Sequence, residues 1–343
     1  MTSAITIQTG EISIAAPIAG PVLDIRNLVV EFPTRRGVLT AIQGIDLTIG
    51  RGEILGVVGE SGAGKSLTGA AVIGLFESSG RVAEGEIHVS GRRIDRLPPR
   101  EMQRLRGRTI GAIFQDPLTS LNPLLTVGDQ LVETMRVHLP LSRAEAAKRA
   151  IALLQEVGIP SPELRIDQYP HQFSGGMRQR VVIALALCAE PELIIADEPT
   201  TALDVSIQAQ ITALLKRVCR DRGTAMMLIT HDIGVIAETA DRVAVMYAGR
   251  IVELGPVEDI IRRPQHPYTQ GLIGSIPSLT ERRERLVQID GAMPRLNAMP
   301  SGCAFHQRCR LATERCRSER PLLTATDTGA AACWHPGVNH ASS

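Results

Sequence analysis

Eight consecutive residues match a phosphate-loop pattern at every fixed position: Gly59, Glu60, Ser61, Gly62, Ala63, Gly64, Lys65 and Ser66. The fixed positions are a first glycine, Gly59, and a second glycine five residues later, Gly64, which is followed by a lysine and a serine. They follow an apolar run at 54–58, which predicts a strand, and precede a predicted helix at 67–76. In that setting backbone N–H groups curl around an anion that also faces the helix N-terminus. Lys65 is expected to reach the β and γ phosphates of a nucleoside triphosphate, and Ser66 to ligate Mg²⁺. The segment lacks the third glycine of a dinucleotide fingerprint, so NAD chemistry is not indicated.

Four polar side chains stand where other apolar, strand-like runs end, namely Gln115, Asp197, Glu198 and His231. Asp197 and Glu198 close one such run, an arrangement that places Asp197 on Mg²⁺ and Glu198 beside the attacking water as general base. Gln115 comes just past the strand predicted at 109–114, where an amide suits metal or water coordination. His231 ends the strand predicted at 225–230, on the side where ligands collect in open parallel sheets. An ordinary core or surface histidine is the alternative for His231.

A second anion-binding loop is predicted from Ser174, Gly175 and Gly176, which precede the apolar helix predicted at 181–187. One nucleotide cannot easily sit on two such loops of a single chain. The sequence therefore implies a second copy of this chain, or a paralogue, that brings the two loops together.

The elements that must position these residues alternate between strands and helices. Residues 22–49 alternate apolar and polar side chains, which predicts antiparallel strands. Phe32, at the end of the first of them, could stack on an adenine ring or serve as a strand-edge aromatic. Residues 123–169 are helical in pattern, with a capping box beginning at Ser142, and interrupt the α/β alternation. Asp204 is placed to cap the helix that follows the acidic strand end.

Length and composition exclude several classes of protein. The 343 residues suffice for about two domains. With 37 Lys and Arg against 36 Asp and Glu and few aromatics, no nucleic-acid partner is expected. The longest apolar run, 181–189, is far shorter than the ~20 residues that span a bilayer. The first 20 residues carry no secretory pattern, so a cytoplasmic protein with a flexible tail at 1–21 is expected.

Four of the six cysteines crowd the C-terminal segment, separated by five, six and sixteen residues: Cys303, Cys309, Cys316 and Cys333. In a segment too short for a large core they predict a closed metal site. Zinc and an iron–sulfur cluster both accept four thiolates, and the spacing does not choose between them. Between Cys303 and Arg320 five arginines against two glutamates give +3, a charge that could neutralise a thiolate cluster. Cys188 and Cys219 lie within predicted helices and are expected to be ordinary buried or helix-face thiols.

The joint order and spacing of these motifs resembles an ATP-binding-cassette ATPase over about 22–263. The motifs are the phosphate loop, Gln115, Ser174-Gly175-Gly176, Asp197-Glu198, Ala202-Leu203-Asp204 and His231. The resemblance implies an α/β phosphate-loop NTPase core with an antiparallel β-subdomain and a helical subdomain at about 123–176. It also implies a head-to-tail dimer in which two ATP molecules are sandwiched between the subunits. By the same resemblance, Glu198 is the general base, His231 contacts the γ-phosphate, and Gln115 links the nucleotide to the membrane domain. In the family, the motif that contains Ser174-Gly175-Gly176 is the signature motif, which usually starts with leucine and ends with glutamine. Here Phe173 and Met177 stand in those two positions.

A closer resemblance is to the ATP-binding subunits of dipeptide and oligopeptide permeases, a group that includes nickel and glutathione importers. It rests on the signature at Phe173–Arg180, on His266-Pro267-Tyr268-Thr269, and on the cysteines of a C-terminal extension at 264–343. The resemblance implies a second, homologous ATPase subunit, two membrane permeases, a solute-binding protein, and a location on the cytoplasmic face of the inner membrane. It also favours a 4Fe–4S cluster over zinc. Because the cysteines are far in sequence from the ATP motifs, a structural or subunit-docking role is expected for it, with redox sensing as the alternative.

Two other functions remain as alternatives. A soluble cassette ATPase, such as the iron–sulfur assembly type, would have the ATPase motifs but typically not the His266-Pro267-Tyr268-Thr269 segment. An exporter would normally fuse its membrane domain to the cassette. None of these motifs contacts the transported solute, so the sequence does not identify it.

Overall fold

The computed structural model describes residues 20–35, 37–76, 79–201, 203–275 and 289–338, so most of the predicted tail and Ala202 lie outside the described residues. The strands are β1 (Leu23–Thr34), β2 (Gly37–Ile49), β3 (Ile54–Val58), β4 (Arg81–Val89), β5 (Arg92–Arg93), β6 (Ile110–Ile113), β7 (Leu193–Asp197), β8 (Ala225–Ile229), β9 (Arg242–Tyr247), β10 (Arg250–Pro256), β11 (Thr324–Thr326) and β12 (Gly329–Ala331). The helices are α1 (Lys65–Ile73), α2 (Pro99–Leu105), α3 (Pro117–Ser120), α4 (Val127–His138), α5 (Arg143–Glu156), α6 (Pro162–Arg165), α7 (Gly175–Leu187), α8 (Val205–Arg222), α9 (Ile233–Thr239), α10 (Val257–Arg262), α11 (Pro267–Gly274) and α12 (Glu314–Ser318).

The smaller sheet is antiparallel, with strand order β2-β1-β4-β5. β1 and β2 form a hairpin whose last pair joins Thr34 to Gly37, which confirms the antiparallel strands predicted at 22–49. Alternate side chains of β1, such as Leu23 and Ile25, are buried, as expected for a sheet with one face on a core.

The larger sheet has strand order β11-β12-β10-β9-β3-β8-β7-β6, and its strands β6, β7, β8, β3 and β9 run parallel. Parallel strands end at the same edge of a sheet. The segments that follow β3, β6, β7 and β8 carry the phosphate loop, Gln115, Glu198 and His231. The topology therefore gathers at one edge the residues that are far apart in sequence.

The helical stretch predicted from residue 123 is present as α4, α5 and α6. The capping box at the start of α5 is confirmed, because the Ser142 side chain accepts the Glu145 N–H and the Glu145 side chain accepts the Ser142 N–H. The start predicted for α7 is wrong: the helix begins at Gly175 and not at 181. The Ser174 side chain accepts the Met177 N–H, and this N-cap lets the helix begin on the two glycines despite their low helix propensity.

The helix after the phosphate loop also differs from its prediction at 67–76. α1 begins at Lys65 and ends at Ile73, so Lys65 and Ser66 belong to its first turn. Gly74 stops it with φ 63°, a left-handed conformation that glycine adopts without strain.

Residues beyond 264 share a sheet and a core with those before. β12 pairs with β10 through Glu253 and Ala331, and Tyr268 and Phe305 pack into the same buried cluster as Val58 and Ile113. Among the described residues, no helix is both long and apolar enough to cross a bilayer.

Candidate functional site

The phosphate loop leaves β3 in a conformation that requires glycine. Gly59 has φ 152°, and a Cβ built there would lie 2.3 Å from the carbonyl oxygen of Met246. Gly64 has φ 105° and occupies the N-cap of α1, so the helix N-terminus opens directly onto the loop. The loop is therefore packed closely against β9 while its backbone can curl at the start of the helix.

Lys65 is held back over this loop. Its side chain is buried, and its ammonium donates to the carbonyl oxygens of Gly59 at 2.8 Å and Glu60 at 3.1 Å. Burial lowers the pKa of Lys65, whereas the carboxylates of Glu198 and Asp197 act against that shift. Carbonyl contacts of this kind can be exchanged for phosphate oxygens, which offer the ammonium a full negative charge.

Ser66 and Asp197 join the first turn of α1 to the end of β7. The Ser66 hydroxyl donates to Asp197 Oδ1 at 3.0 Å. Burial raises the pKa of Asp197, and the bond from Ser66 opposes this rise. Mg²⁺ is usually held by one or two protein oxygens together with substrate phosphates, and this pair supplies such a set. Phe32 lines the same cavity of about 460 Å³ as Ser66 and Asp197.

Glu198 lies at the centre of the second group of polar side chains. Gln115 Nε2 donates to its Oε2 at 3.0 Å, and His231 Nδ1 lies 3.2 Å from its Oε1. Its φ of 49° is uncommon for a residue with a side chain and marks a backbone that its surroundings hold in place. Gln115, Glu198 and His231, predicted from three separate segments, are thus brought together.

Thr201 completes this group and was not predicted from the sequence. Its hydroxyl donates to Glu198 Oε2 at 2.8 Å. A hydroxyl three residues after a candidate base is the signal that could have found it. Burial alone would raise the pKa of Glu198, but the bonds from Thr201 and His231 outweigh it and hold that pKa below its usual range. Glu198 is therefore ionised, as an acceptor of a proton must be.

The second predicted anion loop is exposed at the start of α7. Ser174 and Gly175 are open to solvent, and no hydrogen bond among the described residues joins them to the phosphate loop. Gly176 packs on α8, where an added Cβ would lie 2.8 Å from Ile207 Cγ2. Asp204 occupies the N-cap of α8, as predicted, but its side chain makes no capping hydrogen bond. Asp204 is exposed.

Glu60, the second residue of the phosphate loop, faces the segment beyond residue 264. The Tyr268 hydroxyl accepts its backbone N–H at 2.8 Å, and Arg308 pairs with its carboxylate at 2.9 Å. The sequence alone did not predict these contacts. The cysteine-rich segment is far from the ATP motifs in sequence but reaches the phosphate loop in space, because Arg308 directly precedes Cys309.

The four C-terminal cysteines line one small cavity: Cys303, Cys309, Cys316 and Cys333. Burial raises the pKa of Cys333 to about 11, and the neighbouring thiols add to this rise. Within the described residues, however, no three or more His, Cys, Asp or Glu side chains are arranged to hold a metal ion, so the predicted metal site is not found as such. Cys188 and Cys219 are buried thiols of the main core, as predicted.

Comparisons with known proteins bear on both halves of the chain. A family model described as ABC transporter matches residues 42–201, and one described as oligopeptide/dipeptide transporter, C-terminal region, matches 252–316. The chain is 49% identical to the dipeptide transport ATP-binding protein DppD of Bacillus subtilis, over 91% of this chain and 94% of that protein. It is 45% identical to the oligopeptide transport ATP-binding protein OppD of Escherichia coli, over 96% and 98% respectively.

Two solved structures share the fold of about two thirds of this chain. A dimeric bacterial ABC transporter cassette matches with a TM-score of 0.61 and 29% identity, over 68% of this chain and 98% of that one. The post-hydrolysis dimer of an ATP-binding cassette bound to ADP and Pi matches with a TM-score of 0.62 and 28% identity, over the same shares.

Proposed function

We propose that this chain, which belongs to the ABC transporter ATPases and carries the oligopeptide/dipeptide transporter C-terminal region, is the ATP-hydrolysing subunit of a peptide importer. The observation that carries the proposal is the meeting of two groups at one sheet edge: Ser66 with Asp197, and Gln115 with Glu198 and His231. The first suits a metal-bound triphosphate and the second suits activation of a water. The names of the DppD and OppD relatives favour peptides as the solute.

Each residue has a distinct part in the proposed hydrolysis. Lys65 exchanges its carbonyl partners for β and γ phosphate oxygens, and the loop from Gly59 to Gly64 cradles the phosphates with its N–H groups. Mg²⁺, when bound by Ser66 and Asp197, offsets the charge that develops on the phosphates. Glu198 takes a proton from the attacking water, with Gln115 and His231 holding its carboxylate in place. Phe32 is proposed to stack on the adenine ring.

The exposed start of α7 supports a head-to-tail dimer. Ser174 and Gly175 at the start of α7 are exposed, and Asp204 is an exposed residue at the start of α8, the helix that packs on Gly176. We propose that they complete the nucleotide site of a second ATPase subunit, by resemblance a paralogue rather than a second copy. Two membrane permeases and a solute-binding protein complete the assembly, which places this chain on the cytoplasmic face of the inner membrane. We further propose a nucleotide-binding domain at 22–263 and an extension at 264–343.

Reconstitution tests the transport function. The full chain is assembled in lipid vesicles with a paralogous ATPase and two permeases, and phosphate release is measured. Peptide-loaded solute-binding protein is expected to stimulate hydrolysis and to drive uptake of labelled peptide, while the isolated chain hydrolyses ATP slowly. Full hydrolysis by the isolated chain, unaffected by permeases and binding protein, would instead support the soluble cassette alternative.

We propose a 4Fe–4S cluster for the C-terminal thiols, with zinc as the alternative. Two observations support it: the four thiols line one cavity, and the sequence around them is rich in arginine, Arg315 and Arg317 among them. The thiols do not form a ligand set as they stand, so binding has to draw them together. Such a group would brace the extension, since few apolar side chains there are fully buried.

Anaerobic purification followed by iron, zinc and acid-labile sulfide analysis tests the cluster. We expect about four irons and four sulfides for each chain. The Cys309→Ser variant should lose them, whereas Cys219→Ser, at a buried thiol outside this cavity, should keep them. Stoichiometric zinc without sulfide contradicts the cluster, and normal assembly of a metal-free Cys303→Ser/Cys309→Ser variant contradicts its structural role.

A further inference from the structure

The His266-Pro267-Tyr268-Thr269 segment builds the first turn of α11. His266 is buried, and its Nδ1 accepts the Tyr268 N–H at 3.0 Å as an N-cap, while Pro267 takes the first helical position. Burial lowers the pKa of His266 to about 3, so the ring stays neutral and can accept at Nδ1. The buried carboxylate of Glu253 accepts the N–H groups of Gln265 and His266 at 2.6 and 2.9 Å. The turn is thereby fixed to β10.

This turn holds the Tyr268 side chain against the phosphate loop. The Tyr268 ring is fully buried and packs on Tyr247 and Phe305, with ring centroids 4.7 and 5.5 Å away. Its hydroxyl accepts the backbone N–H of Glu60 at 2.8 Å. This partly buried N–H thus has a hydrogen-bond partner, and the acceptor comes from a residue 208 positions later in the chain.

Arg308 holds the same loop residue by its side chain. Its Nη1 lies 2.9 Å from Glu60 Oε2 and its Nη2 lies 3.0 Å from Glu60 Oε1, a bidentate pair in which the Arg308 side chain is only 6% exposed. Arg308 Nε also donates to the carbonyl oxygen of Asp290 at 2.8 Å, which fixes the guanidinium within the C-terminal segment. Met293 approaches the loop as well, since a Cβ built on Gly62 would lie 4.0 Å from its Cε.

The charge of Glu60 indicates how its contact with Arg308 affects the binding of ATP. Glu60 belongs to the phosphate loop itself, and its carbonyl oxygen accepts a hydrogen bond from the Lys65 ammonium at 3.1 Å. An unpaired carboxylate there would repel a triphosphate. Arg308 neutralises it, and Tyr268 fixes the loop backbone.

We propose that Tyr268 and Arg308 are positioning residues for the phosphate loop, through which the C-terminal segment sets the affinity of the chain for ATP. The proposal rests on the nucleotide site proposed above. Neither side chain touches the nucleotide; each acts through Glu60. The His266-Pro267-Tyr268-Thr269 segment would then be a support of the ATP site as well as part of the extension.

Equilibrium ATP binding to the full-length chain tests the proposal, measured in the cold without Mg²⁺ so that hydrolysis does not interfere. Tyr268→Phe keeps the ring and removes only the hydroxyl, and should raise the Kd for ATP about three- to tenfold, the effect of one hydrogen bond. Arg308→Gln should raise it about tenfold or more, because a charge is left unpaired beside the phosphates. Adding Glu60→Gln to Arg308→Gln should recover at least half of that loss.

Arg310→Gln is the matched control, because Arg310 lies two residues from Arg308 in the same segment but is exposed. The Arg310→Gln variant should bind ATP with the same Kd as the unaltered chain. Thermal unfolding of each variant separates affinity from stability. A lower Tm with unchanged ATP affinity would mean that both residues are merely structural and would overturn the proposal. Failure of Glu60→Gln to restore binding would overturn the charge argument. If the unaltered chain itself bound no ATP, the nucleotide site would fail instead.

Discussion

Glu198→Gln is expected to leave ATP binding nearly intact and to slow hydrolysis ~10²–10⁴-fold, the usual contribution of a positioned general base. The amide has the size of the carboxylate and can keep the contacts with Thr201 and Gln115, so the unusual backbone at φ 49° should persist. What it lacks is the charged oxygen that accepts a proton. Phosphate release by the assembled transporter measures turnover, and a fluorescent ATP analogue measures binding.

Glu258→Gln provides the matched control for this substitution. Glu258 lies on α10 and is 79% exposed, so the same chemical change there should alter neither binding nor turnover. Undiminished hydrolysis by Glu198→Gln assemblies would show that another residue activates the water. Loss of ATP binding by the same variant would show that Glu198 contributes to the binding of ATP as well as to its hydrolysis.

Lys65→Ala should act earlier, on the binding of ATP itself. Lys65 is the only lysine or arginine in the sequence from Gly59 to Ser66, and hydrogen bonds from a charged donor contribute about 1.5–3 kcal/mol. The Kd for ATP is therefore expected to rise by roughly 10- to 100-fold, at about 1.4 kcal/mol for each factor of ten. Direct titration with ATP measures the change.

Lys148→Ala removes an exposed lysine of α5 and should bind ATP as the unaltered chain does. An unchanged Kd for Lys65→Ala would mean that the loop amides alone hold the phosphates. A Tm that fell equally with and without ATP would point instead to a fold that needs the Lys65 contacts with Gly59 and Glu60.

The sequence by itself determined the chemistry and its approximate placement. The phosphate loop, Asp197, Glu198 and His231 could be recognised because each follows an apolar strand, and strand and loop patterns are local. Their meeting followed from a general property of parallel sheets, whose strand ends share one edge. The capping box at Ser142 was equally local, since both partners lie three residues apart.

Only the tertiary structure decided how these parts are supported. Asp204 occupies the N-cap position of α8 without a side-chain capping bond, which the sequence pattern did not reveal. Glu60 and Arg308 are 248 positions apart, and no local pattern couples residues at such a distance. β12 joins the main sheet beside β10, and this pairing brings the C-terminal segment back over the phosphate loop. Contacts of that kind arise when the chain folds back on itself, which the order of residues does not reveal.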